Sequence, residues 1–259
     1  MAKHRRRWNQ SVYEEYISEG RGQGEGREYT PWIRVQDFAS RGIVSRIYSP
    51  KTGRIHHLLS SNELYYFYLT EWSDKVTDIR EQFPLSDLST AMSIAASAGI
   101  AYPTDKTSGY PYVMTCDFML TTVSGLMART VKQVSELTNP RVIEKLEIER
   151  RYWARAGVDW KIVTDRDIDV PKARAIEWIR QAGNIGQVCK SPEFLAEAAE
   201  RFSTNDSLLA AARSLECDFQ LPEGTGLLVL KRLILEKRIK VEMPVYVGAV
   251  NLGPLCGAV

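Results

Sequence analysis

The sequence is short of paired cysteines, of long apolar runs and of net charge, and each shortage removes a class of protein. Cys116, Cys189, Cys217 and Cys256 are widely separated and form no CxxC pair. That argues against a structural zinc site and a redox motif, and it fits a reducing compartment. No apolar stretch is long and pure enough to span a bilayer, and the basic N-terminus is not followed by a signal-peptide core. A bacterial cytoplasmic protein without a membrane anchor is therefore expected. The formal net charge is only +2, so any nucleic-acid binding must come from local clusters. Repeats and low-complexity tracts are also missing, and the glycine spacing matches neither a dinucleotide fingerprint nor a P-loop.

What is present is ordinary globular material: 44% hydrophobic and 25% charged residues over 259 positions, enough for two modest domains. "SVYEEYISEG" reads as a short helix closed by Gly20, and "RGQGEGREYTPW" as a glycine loop. "SRIYSPKTGRIHHLLS" alternates around a turn and predicts a hairpin. Its Lys51, Arg54, His56 and His57 form a candidate basic rim. The adjacent histidines would point to opposite faces of a strand, which opposes a shared metal ion. Together with Lys3, Arg5, Arg6 and Arg7 at the tip and Arg21 in the glycine loop, this rim is the candidate DNA-binding set. The competing reading is a solvated terminus and plain surface polarity.

"SSNELYYFYLTEW" predicts a helix capped by Ser60 or Ser61, with Glu63 in its first turn, where the helix dipole alone would favour an acid. "VTDIREQFPL" is a strand, "LSTAMSIAASAG" a helix, and "YVMTCDFMLTTV" with "GLMARTVKQV" a hairpin. Asp117 interrupts the first strand of that hairpin at its apolar centre, and burying an aspartate without a partner is costly. Lys132 lies on the second strand, either pointing outward to water or facing a carboxylate cluster. "PRVIEKLEIERRYWARAG" is a long amphipathic helix and "DWKIVTD" a last strand. This order describes an α/β domain with a mixed central sheet. After "DRDIDVPKAR" the chain turns mainly α, through "KARAIEWIRQAG", "SPEFLAEAAERFS", "NDSLLAAARSLECDFQ" and "LLVLKRLILEKR" to a strand "IKVEMPVYVGAV", the order of a winged-helix module. The boundary is placed between 166 and 167.

A tight register would bring Asp117 and Lys132 to one face, with Glu63 approaching from the preceding helix. Two carboxylates suffice for Mg²⁺, and the lysine can then stabilise charge on a phosphate. An acid followed by "VK" on the next strand resembles the signature of restriction-endonuclease-like nucleases. The stretches "SEGRGQGEGREYTPW", "RIYSPKTGRIHHLLSSNEL", "DIREQFPL", "TCDF" and "EKLEIERRYW" together resemble the TnsA family, endonuclease subunits of Tn-seven-type bacterial transposases, from about Glu19 to Trp178. The resemblance implies a restriction-endonuclease-like domain over 1–166 and a winged-helix-like partner-binding domain over 167–259. It assigns catalysis to Glu63, Asp117 and Lys132, with Glu149 a further acid, and implies Mg²⁺ as cofactor with Mn²⁺ as substitute. Where that family has glutamine two residues before the lysine, this chain has Thr130, whose hydroxyl could serve as a ligand or leave the task to the Val131 carbonyl. Cutting at the 5′ ends of transposon-end double-stranded DNA is expected, beside a TnsB-like 3′-end transposase and a TnsC-like AAA+ ATPase regulator. The rival expectation is a non-catalytic winged-helix adaptor.

Overall fold

The computed structural model describes residues 7–37, 43–184, 191–202 and 207–241. The chain divides into two compact units, Met1–Ile168 and Asp169–Val259.

In the first unit, α1 (Gln10–Ser18) starts where the Asn9 side chain accepts from the Val12 N–H. The glycine loop after it folds back onto the sheet, and a side chain at Gly22, φ +75°, would collide with the Pro84 ring. The expected hairpin forms as β1 (Ser45–Ser49) and β2 (Arg54–Leu58). Helix α2 (Ser61–Trp72) follows, capped by Ser60, and buries Glu63, Phe67 and Tyr68 on its inner side.

The central sheet is mixed, in the order β3 (Val76–Pro84), β4 (Thr115–Thr122), β5 (Gly125–Lys132), β6 (Asp159–Thr164). Its first three strands pair antiparallel and β6 joins β5 in parallel. A parallel partner needs a crossover, and α4 (Pro140–Arg155) supplies it. With α3 (Leu88–Ser97), α4 covers one face of the sheet in a core that includes Leu85, Ala95, Cys116, Met119, Ile148 and Trp153. Phe118 of β4 meets Tyr66 of α2 at 5.5 Å between ring centroids.

The second unit holds α5 (Val170–Arg180), α6 (Pro192–Glu200), α7 (Leu208–Asp218) and α8 (Thr225–Leu235). A side chain at Gly226 would collide with the Ala212 carbonyl, so glycine permits the close crossing of α7 and α8. The strand expected over 239–250 lies, beyond residue 241, outside the described residues. Lys231 of α8 is buried, its Nζ 3.9 Å from the centroid of the Trp178 ring.

Candidate active site

Asp117 occupies a fork in the sheet. The β3–β4 ladder pairs Glu81 with Phe118 and Phe83 with Cys116, and the β4–β5 ladder stops at Phe118 and Arg129, so Asp117 belongs to neither register. Its Oδ2 takes the Val131 N–H at 2.6 Å, the donor that the ladder leaves over. A short polar side chain in an apolar strand is thus explained by local geometry: it closes the fork it sits in.

Lys132 faces this carboxylate rather than water. Its Nζ is 3.5 Å from Asp117 Oδ2 and donates to the Val131 carbonyl at 2.9 Å. The neighbouring Asp117 charge raises its pKa, against the opposing effect of burial, so the ammonium stays charged.

Glu63 serves both readings made from the sequence. Its own N–H donates to Ser60 Oγ, Ser60 Oγ donates back to its Oε1 at 2.9 Å, and the Leu59 N–H donates to its Oε2 at 2.9 Å, so it closes the helix start. It is also only 7% exposed and lies beside Asp117. Burial, then the Asp117 charge, push its pKa up to about 7.

Glu149 lies on the inner side of α4, 5% exposed, and not on the solvated face where Glu147 pairs Arg150 and Arg151. Burial drives its pKa up to about 7 as well. Thr130 Oγ1 donates to Glu149 Oε2 at 2.5 Å and accepts from Trp160 Nε1 at 3.2 Å, so this hydroxyl is engaged on both sides. The Val131 carbonyl accepts from Lys132, and a carbonyl oxygen has two lone pairs.

Sequence reasoning missed Gln82. It is 2% exposed and has φ +49°, a left-handed conformation unusual for a residue with a side chain. Its Nε2 lies 3.3 Å from Glu63 Oε2 and 3.4 Å from Asp117 Oδ1, while Thr115 Oγ1 donates to its Oε1 at 3.1 Å. Carboxylates only accept, so the amide nitrogen must face them. The one trace in the sequence is a polar residue opposite Asp117 in the strand pairing, visible only once the register is known.

Among the described residues, no group of three or more histidine, cysteine, aspartate or glutamate side chains forms a ready-made metal cage. The donor set nevertheless suits a hard cation: oxygen only, two carboxylates from different elements, one of them, Glu63, pushed up to about 7 by burial and then by the other's charge. An open pocket beside them is lined by Ser60, Asn62, Val131, Lys132, Gln133 and Glu136.

The candidate DNA contacts fare differently. Lys3, Arg5 and Arg6 lie outside the described residues, and Arg7 is exposed. Arg54 and His56 do not rim the hairpin, because Arg54 is 8% exposed and forks Glu81 while His56 is fully buried against the same carboxylate. Arg21 is likewise interior, donating to Asp37, Glu19 and the Trp32 carbonyl. A buried carboxylate attracts the nearest cations inward, and alternation along a short strand does not reveal that pull. Lys51 is half-buried and donates to the Ser73 and Val76 carbonyls, and half-buried His57 accepts the Val35 N–H at Nδ1. The outward face of the hairpin carries Arg46, Tyr48 and Ile55.

Comparison with known proteins gives the family. Residues 73–165 match the family described as TnsA-like endonuclease N terminal, and residues 167–243 match TnsA endonuclease C terminal. Asp117, Lys132 and Glu149 fall inside the first match, and Glu63 precedes it. Transposon Tn7 transposition protein TnsA of Escherichia coli is 36% identical over 252 residues, covering 93% of this chain and 89% of that protein. The chain belongs to the TnsA endonuclease family.

Proposed function

We propose that this protein is the DNA-cutting subunit of a TnsA-type transposition system, hydrolysing phosphodiester bonds at the 5′ ends of its element. The observation that supports it most is the meeting of Glu63, Asp117 and Lys132 at one fork of the sheet, beside an open pocket.

Glu63 and Asp117 would hold Mg²⁺, or Mn²⁺ in its place, with the Val131 carbonyl as a further oxygen. When bound, the ion supplies Lewis acidity and a water acidic enough to attack at neutral pH. Lys132 offers a fixed positive charge at the pocket wall, where negative charge develops on the phosphate. Ser60, Ser61 and Asn62 at the start of α2 line the same pocket, where the helix dipole favours an anion. Glu149 and Thr130, tied to each other, brace β5 against α4 beneath this wall and leave Glu149 as a reserve acid.

The second unit would be the winged-helix-like, partner-binding part. At the end of α8 Arg232 and Arg238 both pair with Glu236, which favours protein contact over groove reading. The partners proposed are a TnsB-like transposase that cuts and joins the 3′ ends and a TnsC-like AAA+ ATPase regulator. No helix among the described residues is long and apolar enough to cross a membrane.

The test is strand-specific mapping of cuts at transposon ends in a reaction reconstituted with both partners, ATP and Mg²⁺. Asp117→Ala should remove the 5′ cuts and leave 3′ joining intact. Persistent 5′ cuts would make the constellation structural and the chain an adaptor.

A further inference from the structure

Gln82 has no function in the account of the reaction given above, yet the fold distorts a strand to place it. Its neighbours Glu81 and Phe83 keep regular partners on β4, and the break between them falls at Gln82, directly across from Asp117. Its carbonyl accepts the Trp32 N–H at 3.3 Å, which holds the turned peptide from the loop side. Thr115 Oγ1 holds the other end of the amide by donating to Oε1. The result is one neutral donor group whose nitrogen is shared almost evenly between two acids from different elements.

We propose that Gln82 is a positioning residue of the cleavage centre, holding Glu63 of α2 and Asp117 of β4 at the separation at which one divalent cation can be shared between them. The inference rests on the metal-dependent reading of that centre. A neutral amide suits the task better than a cation would. Arg or Lys at this place would neutralise the acids and compete with the ion, whereas an amide orients them and leaves their charge available. Outer-shell donors of this kind set metal affinity, and their loss weakens it roughly 10- to 100-fold.

The experiment titrates the full-length protein with Mn²⁺, reading free Mn²⁺ by its EPR signal, and records melting in EDTA. Wild type is compared with Gln82→Gly, Gln82→Asn and Asp117→Ala. Glycine is at ease at this φ, so Gln82→Gly removes the amide without adding strain. It should melt at or above the wild-type temperature and bind Mn²⁺ roughly 10- to 100-fold more weakly. In the reconstituted reaction its 5′ cutting should need correspondingly more metal and approach wild type at saturation. Gln82→Asn keeps an amide and tolerates the turn but retracts the nitrogen by one carbon, and weaker Mn²⁺ binding there decides the question equally. Wild-type Mn²⁺ affinity in either variant overturns the proposal. Absence of Mn²⁺ binding in wild type, or full binding in Asp117→Ala, overturns the metal reading itself, an outcome visible without any change at Gln82.

Discussion

Two groups of buried carboxylates lie within one strand's reach of each other, and their surroundings treat them oppositely. Glu81 is fully buried and accepts two guanidinium bonds from Arg54, at 2.9 and 2.6 Å, one from His56 Nδ1 at 2.7 Å and one from the His57 N–H at 3.0 Å. Burial alone would raise its pKa, but His56 and Arg54 overcome that and hold it far below the usual carboxylate range. Glu63 and Glu149 are buried too, yet their hydrogen-bond donors are neutral: amides, hydroxyls and an indole. Both are pushed up to about 7. Burial does not distinguish a structural acid from a chemical one, but the charge of its donors does. Where the Arg54 guanidinium is supplied, beside a His56 imidazole whose own pKa burial lowers, the acid locks a hairpin to a sheet. Where Lys132 alone faces Asp117, Glu149 and Glu63, negative charge is left over for a cation to answer.

The contrast breaks first at Asp117. If the under-compensated group is the cutting centre, Asp117→Ala should lower 5′ cleavage by at least ~10³-fold, about 4 kcal/mol of barrier, while melting shifts little. Strand-mapped cutting and calorimetry on the same preparation separate the two. A variant that loses stability and keeps its cuts would put Asp117 on the structural side.

Glu81→Ala should do the reverse. It strands Arg54 and His56 in the interior and should cost about 3–5 kcal/mol of stability. Urea unfolding measures this directly, and a loss under ~1 kcal/mol would show that the network is better hydrated than its burial implies.

Acidity gives the next comparison. Glu149 and Glu63 have folded pKa values raised to about 7, so the native state binds their protons more tightly than the unfolded chain does. Their contribution to stability therefore falls as pH rises from the ordinary carboxylate value through 7. Glu81, shifted downward, behaves oppositely: its contribution is present above the ordinary value and is lost as pH falls below it. Metal-free protein should accordingly lose stability between pH 5 and 8, and Glu149→Gln should recover on the order of 2 kcal/mol at pH 8 with no gain at pH 5. An equal gain at both would place its effect in packing rather than charge.

Much of this arrangement was legible from residues alone. Caps at Ser60 and Gly20, the turn before β5 and the length of α4 sit close to their expected places, because local chemistry fixes them. Asp117 was conspicuous because an aspartate inside an apolar strand demands a partner. The interior role of Arg54, His56 and Arg21 was not legible: each needs an acid distant in sequence, Glu81 or Asp37, and no local pattern names it. Gln82 was hidden for a related reason. Its importance comes from a backbone turn and a register, and both arise only when β3 and β4 pair.

The smallest expected effect concerns two arginines on adjoining strands, Arg46 exposed on β1 and Arg54 buried on β2. If DNA passes over the outward face of the hairpin, Arg46→Ala should reduce the slope of log K against log salt by about 1 and leave melting unchanged. Arg54→Ala should leave Glu81 unpaired, lower the melting temperature and affect DNA only through folding. A salt slope untouched by Arg46→Ala would move the DNA path off the hairpin, toward the tip around exposed Arg7. The argument is one of counterions: only a cation already in water releases ions from the duplex when it meets a phosphate, and Arg54 has given that water up to Glu81.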